Sequence, residues 1–465
     1  MTELHPNSIE AYNLLHQGTL ALSRAEQVGI RVDLREAEKT KKRLSLRIKK
    51  AEAEFFETKL YRHWAHIVSR PNIMSGTQLA SFLYKTKKLQ PAYTTTSGVG
   101  ATDEEALRFL EIPELESLIK IKKMRKVRDT YLESFLREQS DGVIHPSFNL
   151  HLVKTFRSSS DKPNFQNIPK RDKMAMKMCR KVLFPRVGHQ ICEIDYSGIE
   201  VRVAACYHKD PTMLKYITDP TTDMHGDMAV QLYMLNKLDR SIPGHTLLRN
   251  ATKNSFVFPQ FYGSYYGNCA KSLACTWGGL PQGKWKPTHG VEIEENVLLG
   301  AYLISKGLKS YDSYVEHVRK VEDDFWNTRF PVYQRWKDAH WERYLRDGYV
   351  DLLTGFRCNG VMAYNDAINY PIQGAAFHVL LKALVLIDAY IQEKGLKTRI
   401  IGQIHDAIIL DIYPPERDTL LPIVKEIMNI KVLQHFPWIN VPLEVEADIA
   451  PVDGSWADVE PIKIN

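Results

Sequence analysis

Cysteine is scarce: the 465 residues contain six. They stand at positions 179, 192, 206, 269, 275 and 358, with no CxxC pair among them. That pattern excludes a disulfide-stapled secreted scaffold and reads as reduced thiols of an intracellular protein. No apolar run is expected to reach membrane-span length, and the polar start MTELHPNSIE has no signal-peptide core. The chain is therefore expected to be neither secreted nor membrane-bound. Short-period repeats and low-complexity tracts are missing, which argues against a repeat architecture. Charge of one sign is not dominant either: 62 Lys and Arg face 55 Asp and Glu, a net charge of +7. So modest a surplus is compatible with a polyanionic partner and does not by itself indicate one. With 44% apolar and 25% charged residues, the composition is that of a globular protein with room for two or three substructures.

What is present converges on His405-Asp406-Ala407, inside RIIGQIHDAIILDIY (399–413). Ile400, Ile401 and Ile404 lead in, and Ile408, Ile409, Leu410 and Ile412 lead out, a β-hairpin pattern. An Asp can favour a turn for its backbone geometry alone. An ionised carboxylate between buried strands, however, needs a partner, a metal ion or open solvent. A second carboxylate stands in a similar place. In QICEIDYSGIEVR (190–202), a strand over Ile191 to Ile194 delivers Asp195 at its end, before a helix begins near Ile199. Two strand-end aspartates from distant segments can share a divalent cation. Magnesium takes oxygen ligands and borrows several from water or phosphates. Two such ions, roughly 3.5–4 Å apart, form the clamp of in-line phosphoryl transfer.

DYSGIEVR (195–202) resembles motif A of the family A DNA polymerases, the bacterial DNA polymerase I type. IHDA (404–407) resembles their motif C, and RNATKNSFVFPQFYG (249–263) resembles motif B, on the fingers helix that closes over the nucleotide. Three motifs in this order and separation are far more specific than any one of them. HLVKTFRSSSDKPNFQNIPKR (151–171), DMHGDMAVQLY (223–233), GYVDLLTGFR (348–357), NYPIQGAA (369–376) and VPLEVEADIAPVDGSWADV (441–459) are similar to further family segments. The resemblance covers roughly residues 20–460.

The fold class it implies is mixed α/β (α+β), a right-hand polymerase with an antiparallel palm sheet and largely helical fingers and thumb. The implied domains are a lead-in at 1–18, thumb at 19–145, palm at 146–207, fingers at 208–361 and the second part of the palm at 362–465. A first helix is expected to end at Gly29, and Thr102 with Glu105 forms a candidate capping box. The basic helices that carry Lys39 to Lys50 and Lys122 to Arg128 are by default solvated faces. In a thumb they would track duplex phosphates.

The resemblance also implies roles. Asp195 and Asp406 are the catalytic metal ligands, and Lys253 is a general acid on the leaving-group side. Arg249 and Lys253, four apart on one helix face, bind the triphosphate together with His225. Phe258 and Tyr262 form a platform for the nascent base pair, and Glu200 crowds the 2′ side of the sugar. Arg157, Asn164, Gln166, Asn369, Gln373 and His405 contact primer-template DNA, mainly in the minor groove, where readout carries little sequence information.

Four departures from the family pattern matter. Val257 stands four residues after Lys253, where the family has its aromatic, and Phe258 stands five after. Pro259, inside the same helix, lacks an N–H and crowds the carbonyl of Ser255. One extra residue plus that proline predicts a π-bulge within 254–259, with Phe258 as the functional aromatic. Ala407 replaces the motif C Glu, which is expected to loosen a peripheral contact and leave the clamp in place. Asp411, five residues after Asp406, is assigned by strand alternation to the other face. Gly198 replaces the Gln usual in motif A.

The expected activity is template-directed extension of a primer 3′-hydroxyl with dNTPs, using two Mg²⁺ ions (Mn²⁺ as substitute) and releasing pyrophosphate. No proofreading exonuclease domain is expected, since only 28 residues precede GIRVD (29–33). One alternative is a single-subunit RNA polymerase, which shares the motif layout but carries a small residue where Glu200 stands. Another is an inactive nucleic-acid-binding relative, against which the intact Asp195, Asp406, Arg249 and Lys253 argue. Expected partners are primer-template DNA, dNTPs and separate replication factors such as a helicase or single-strand-binding protein. The expected state is a cytoplasmic monomer, in the bacterial host cytoplasm if the chain is phage-encoded.

Overall fold

Apolar and β-branched residues build the sheet on which the aspartates stand. The computed structural model describes residues 8–464 apart from 96, 171, 280 and 282, so the first seven residues of the expected lead-in lie outside the described residues. Five strands form one antiparallel sheet: β1 (Gln190–Tyr196), β2 (Arg399–Ile404), β3 (Ala407–Ile412), β4 (Val445–Ile449) and β5 (Glu460–Ile462). Their order is β2-β3-β1-β4-β5, which puts β1 in the centre. Every residue of β1 is buried except Asp195. β2 and β3 are joined by the two-residue turn His405-Asp406, as the hairpin pattern requires, with His405 in the left-handed region at φ 49°.

The chain divides into two compact units. Unit 1 comprises Met1–Glu54, Lys120–Tyr207 and His340–Asn465; unit 2 comprises Phe55–Ile119 and His208–Ala339. In unit 1 the helix Ser8–Val28 stops before Gly29, whose φ is 65°. A Cβ there would meet the carbonyl oxygen of Ile144 at 2.5 Å, so only glycine fits. The long helix Tyr364–Glu393 lies against β2, β3 and the helix Ser8–Val28. Its 18-residue window of mean hydropathy 1.7 is long and apolar enough to cross a membrane, which corrects the expectation that no such run exists. The window is 72% buried in the folded protein. Each Leu or Ile it buries contributes roughly 1.5–3 kcal/mol to the core. Pro371 cannot donate to the carbonyl of Ala367, and His340 meets that carbonyl in its place.

Several charges of the basic helices are paired within unit 1. Arg125 meets Glu52 at 2.6 Å, Lys123 meets Asp172 at 2.9 Å, and Lys41 pairs with Glu133. The surface they leave for phosphates is smaller than the sequence count suggests.

Unit 2 is helical around an aromatic core in which Phe256, Phe261 and Phe330 surround Phe325. Residues 55–119 belong to it: the ammonium of Lys271 lies 3.4 Å from the ring centre of Tyr93. The helix Glu104–Phe109 is capped by Asp103, whose side chain accepts from the amide of Ala106 at 3.0 Å. The expected Thr102 cap is therefore one residue early. A carboxylate at 103 reaches the third helical amide, and the Thr102 hydroxyl points to the carbonyl of Gly76.

Candidate active site

Sheet register brings the two aspartate segments together in unit 1. Ala407 of β3 pairs with Asp195 of β1, and the amide of Tyr196 donates to the carbonyl of Asp406 at 3.1 Å. Chain direction changes straight after Asp195 at Gly198, whose φ is 62°. That left-handed backbone is strained for an L side chain, which gives the departure from Gln a physical reason. The helix Ile199–His208 then presents Glu200, which accepts from Arg157 at 3.1 Å.

Burial dominates the electrostatics here. The carboxyl of Asp406 is pushed up to about 7, first by desolvation and then by Glu200 and Asp195, with Arg157 and Lys170 opposing. Asp195 is also raised, by desolvation first, with Lys170 opposing. Its side chain remains 38% exposed, so water tempers the shift. Glu200 is raised by burial and eased by Arg157. The site thus holds more negative charge than its own cations balance, which is the condition a bound cation relieves. Among the described residues no three His, Cys, Asp or Glu side chains converge into a self-sufficient metal cage. Two carboxylates of this kind nevertheless fit Mg²⁺, which is held by one or two carboxylates plus waters and phosphate oxygens.

Four of the six DNA-contact candidates meet in one cavity of about 510 Å³: Arg157, Gln166, Gln373 and His405 line it together with Tyr370 and Gln403. Gln166 donates to Ser158 at 2.7 Å and to Gln403 at 2.9 Å, which fixes its amide. Asn164 is exposed outside the cavity, where its side chain caps the turn Phe165–Asn167. Asn369, one turn before Gln373 on the same helix, is buried, and of the two only Gln373 lines the cavity.

The nucleotide candidates of unit 2 form a second cluster. Helix Pro243–Thr252 runs into a π-helical turn over Lys253–Val257, and the amide of Phe258 donates to the carbonyl of Lys253, five residues back. The predicted bulge is present. It leaves Val257 fully buried and Phe258 half-buried. The Lys253 ammonium lies 5.3 Å from the centre of the Phe258 ring, and His225 packs edge-on at 5.7 Å. Tyr262, one turn on, is 41% exposed. Arg249 grips Asp223 through two hydrogen bonds, 2.7 and 2.8 Å, and Arg240 adds a third at 2.8 Å. Burial works against an ionised Asp223, yet Arg249 and Arg240 outweigh it and hold the carboxyl far below its usual range. The His225 ring is driven down to about 4 by burial, then by Arg249 and Lys253, so it is neutral at pH 7.

Sequence reasoning missed Asp223, Gln403, Glu193 and Lys170. Glu193 shares the face of Asp195, two residues along β1, and receives Arg180 at 2.8 Å and Lys170 at 2.7 Å. Register also corrects the account of Asp411. It pairs with Ile191 on the face of Ala407 and Asp195, but at the far end of the strand, where Arg186 and His189 contact its carboxylate. Distance along β3, not the opposite face, removes it from the site.

A profile of DNA polymerase family A matches residues 35–278 and 319–458. DNA polymerase I of Aquifex aeolicus is 28% identical over 386 residues, 83% of this chain and 58% of that protein. DNA polymerase I of Bacillus subtilis is 26% identical over 447 residues, 95% of this chain and 45% of that protein. The DNA polymerase of Bacillus phage SP01 is 23% identical over 377 residues, 77% of this chain and 36% of that protein. The chain spans about half the length of the curated relatives it matches. Among solved structures, the POL domain of Pol1 from M. smegmatis, in complex with DNA primer-template and dNTP, matches with a TM-score of 0.72. The match covers 95% of this chain and 70% of that one at 23% identity, a likeness of fold.

Proposed function

The chain belongs to DNA polymerase family A, and from that premise we propose that it extends the 3′-hydroxyl of a primer with dNTPs on a DNA template and releases pyrophosphate. The observation that carries the reading is the desolvated pair Asp195 and Asp406, joined through the β1–β3 register and short of positive charge. Family A polymerases use divalent metal ions. We assign Asp195 and Asp406 as holders of two Mg²⁺ ions, replaceable by Mn²⁺. When bound, the ions supply Lewis-acid polarisation of the attacking hydroxyl and the phosphate oxygens.

The protein's own groups do the rest. Asp195 and Asp406 are held by the sheet and cost no reorganisation when charge develops. Arg157 fixes the Glu200 carboxylate, which excludes a ribose 2′-hydroxyl. Gln373, His405 and Arg157 offer donors to the duplex minor groove, and Gln166, its amide nitrogen held by Ser158 and Gln403, offers its carbonyl oxygen. In unit 2, Lys253 and Arg249 receive the triphosphate, with Lys253 donating a proton to the departing pyrophosphate. Neutral His225 adds a hydrogen bond, and Phe258 and Tyr262 offer ring faces to the nascent pair. The buried position of Asn369 and the capping role of Asn164 weigh against direct DNA contact by either. The domain boundaries inferred from the sequence, a monomeric state, a cytoplasmic address and helpers such as a helicase or single-strand-binding protein remain part of this proposal.

Primer extension with Mg²⁺ tests it. Template-dependent extension by dNTPs and not by rNTPs is expected. Extension by rNTPs alone would favour an RNA polymerase, and tight DNA binding without extension would favour an inactive relative.

A further inference from the structure

Lys170 sits where the described site gives it no role. Its ammonium lies 2.7 Å from Glu193 Oε1 and 3.2 Å from Asp195 Oδ2. Glu193 is already neutralised without it: buried Arg180 reaches Oε2 at 2.8 Å, and the indole of Trp456 donates to the same oxygen at 3.1 Å. Arg180 also donates through Nε to the carbonyl of Pro169, the residue before Lys170, at 3.2 Å. Arg180 therefore ties down both the backbone beside Lys170 and the carboxylate that anchors its head. The Lys170 side chain is 52% exposed, so its head has a path to water. The other acidic groups that share this face, Glu446 and Asp448 on β4, pair in register with Asp195 and Glu193. Glu446 is engaged by the Ser197 hydroxyl at 3.1 Å. The charge of Lys170 is thus surplus to Glu193 and available to Asp195.

We propose that Lys170 is a tethered cation that competes with the divalent metal for Asp195. The inference rests on the assignment of Asp195 as a metal ligand. An ammonium hydrogen-bonded to Oδ2 removes one oxygen and opposes a second positive charge nearby. A divalent ion is then held weakly by the protein alone and firmly only when substrate phosphates add their oxygens. Lys170 accordingly acts as a positioning residue that delays metal loading until the nucleotide arrives.

The test is Mn²⁺ binding, followed by electron paramagnetic resonance on the protein–primer-template complex without nucleotide, for wild type, Lys170→Met, Lys170→Arg and Asp195→Asn. Lys170→Met should bind Mn²⁺ at least about tenfold more tightly than wild type, and Lys170→Arg should stay close to wild type. Lys170→Gln, which deletes the charge but keeps a polar side chain, must move in the same direction as Met. Unchanged or weaker binding in either neutral variant overturns the inference, provided Asp195→Asn abolishes the site. If Asp195→Asn leaves Mn²⁺ binding intact, the metal assignment itself fails, and this inference with it.

Discussion

Unit 1 and unit 2 each gather charged side chains, and they treat the charge in opposite ways. In unit 1, Asp406 is desolvated and crowded by Glu200 and Asp195, so its carboxyl is pushed up to about 7. In unit 2, Asp223 is gripped by Arg249 and Arg240 and held far below its usual range. The first cluster is left short of positive charge by its own side chains. The second is internally satisfied on its acidic side, with Lys253 and the neutral His225 gathered around the Phe258 ring. Polar groups that a fold needs for its own stability are paired. Groups left strained by burial mark where a ligand supplies the missing term.

The contrast is broken most severely by removing its unit 1 side. Asp195→Asn or Asp406→Asn should lower the single-turnover extension rate by about 10³-fold or more, with primer-template affinity nearly unchanged. In metal-free buffer the Asp406→Asn protein should melt no lower than wild type, because a poorly compensated charge has been removed. Lower melting with retained turnover would reverse the reading of that cluster. Next in size, Lys253→Ala or Arg249→Ala should cost about 10²-fold in kcat/KM for dNTP, measured at fixed Mg²⁺. Equal turnover in either variant would reduce the unit 2 cluster to a surface ion pair.

A finer probe is the bulge. Phe258→Tyr should raise dideoxynucleotide incorporation about tenfold, the worth of one added hydrogen bond, whereas Val257→Tyr should disturb packing. The reverse outcome would restore the ungapped register. The smallest effect concerns Asp223. Its carboxyl is depressed in the folded state, so its contribution is present above the unfolded value near 3.8 and lost as pH falls below it. Asp223→Asn should cost about 1 kcal/mol at pH 7, allowing for partial exposure. In denaturant titrations the gap from wild type should close as pH drops through the carboxylate range. A gap that persists at low pH would mean packing, not charge, is what the substitution removes.

The parts legible in the sequence were those set by local pattern. Continuous apolar runs around Asp195 and Asp406 announced the hairpin and a second buried strand, and the extra residue before Pro259 announced the π-turn. What was not legible depends on how distant segments meet. Lys170 and Glu193 are 23 residues apart, and only the packing of the loop against β1 joins them. Asp223 reads as a helix cap until Arg249 arrives from another helix. Asn369 and Gln373 share a helix, but which of them faces the cavity depends on how the helix is rotated in the core. The grouping of 55–119 with 208–339 was likewise invisible, because no linker composition marks either boundary.

Affinity cleavage locates a bound divalent ion directly. With Fe²⁺ in place of Mg²⁺ and ascorbate and peroxide present, hydroxyl radicals cut the backbone next to the metal. The account predicts cuts near residue 195 and near residue 406, both suppressed by excess Mg²⁺ and both absent from Asp195→Asn. Cuts confined to other segments, or cuts at 195 and 406 that Mg²⁺ does not suppress, would contradict it.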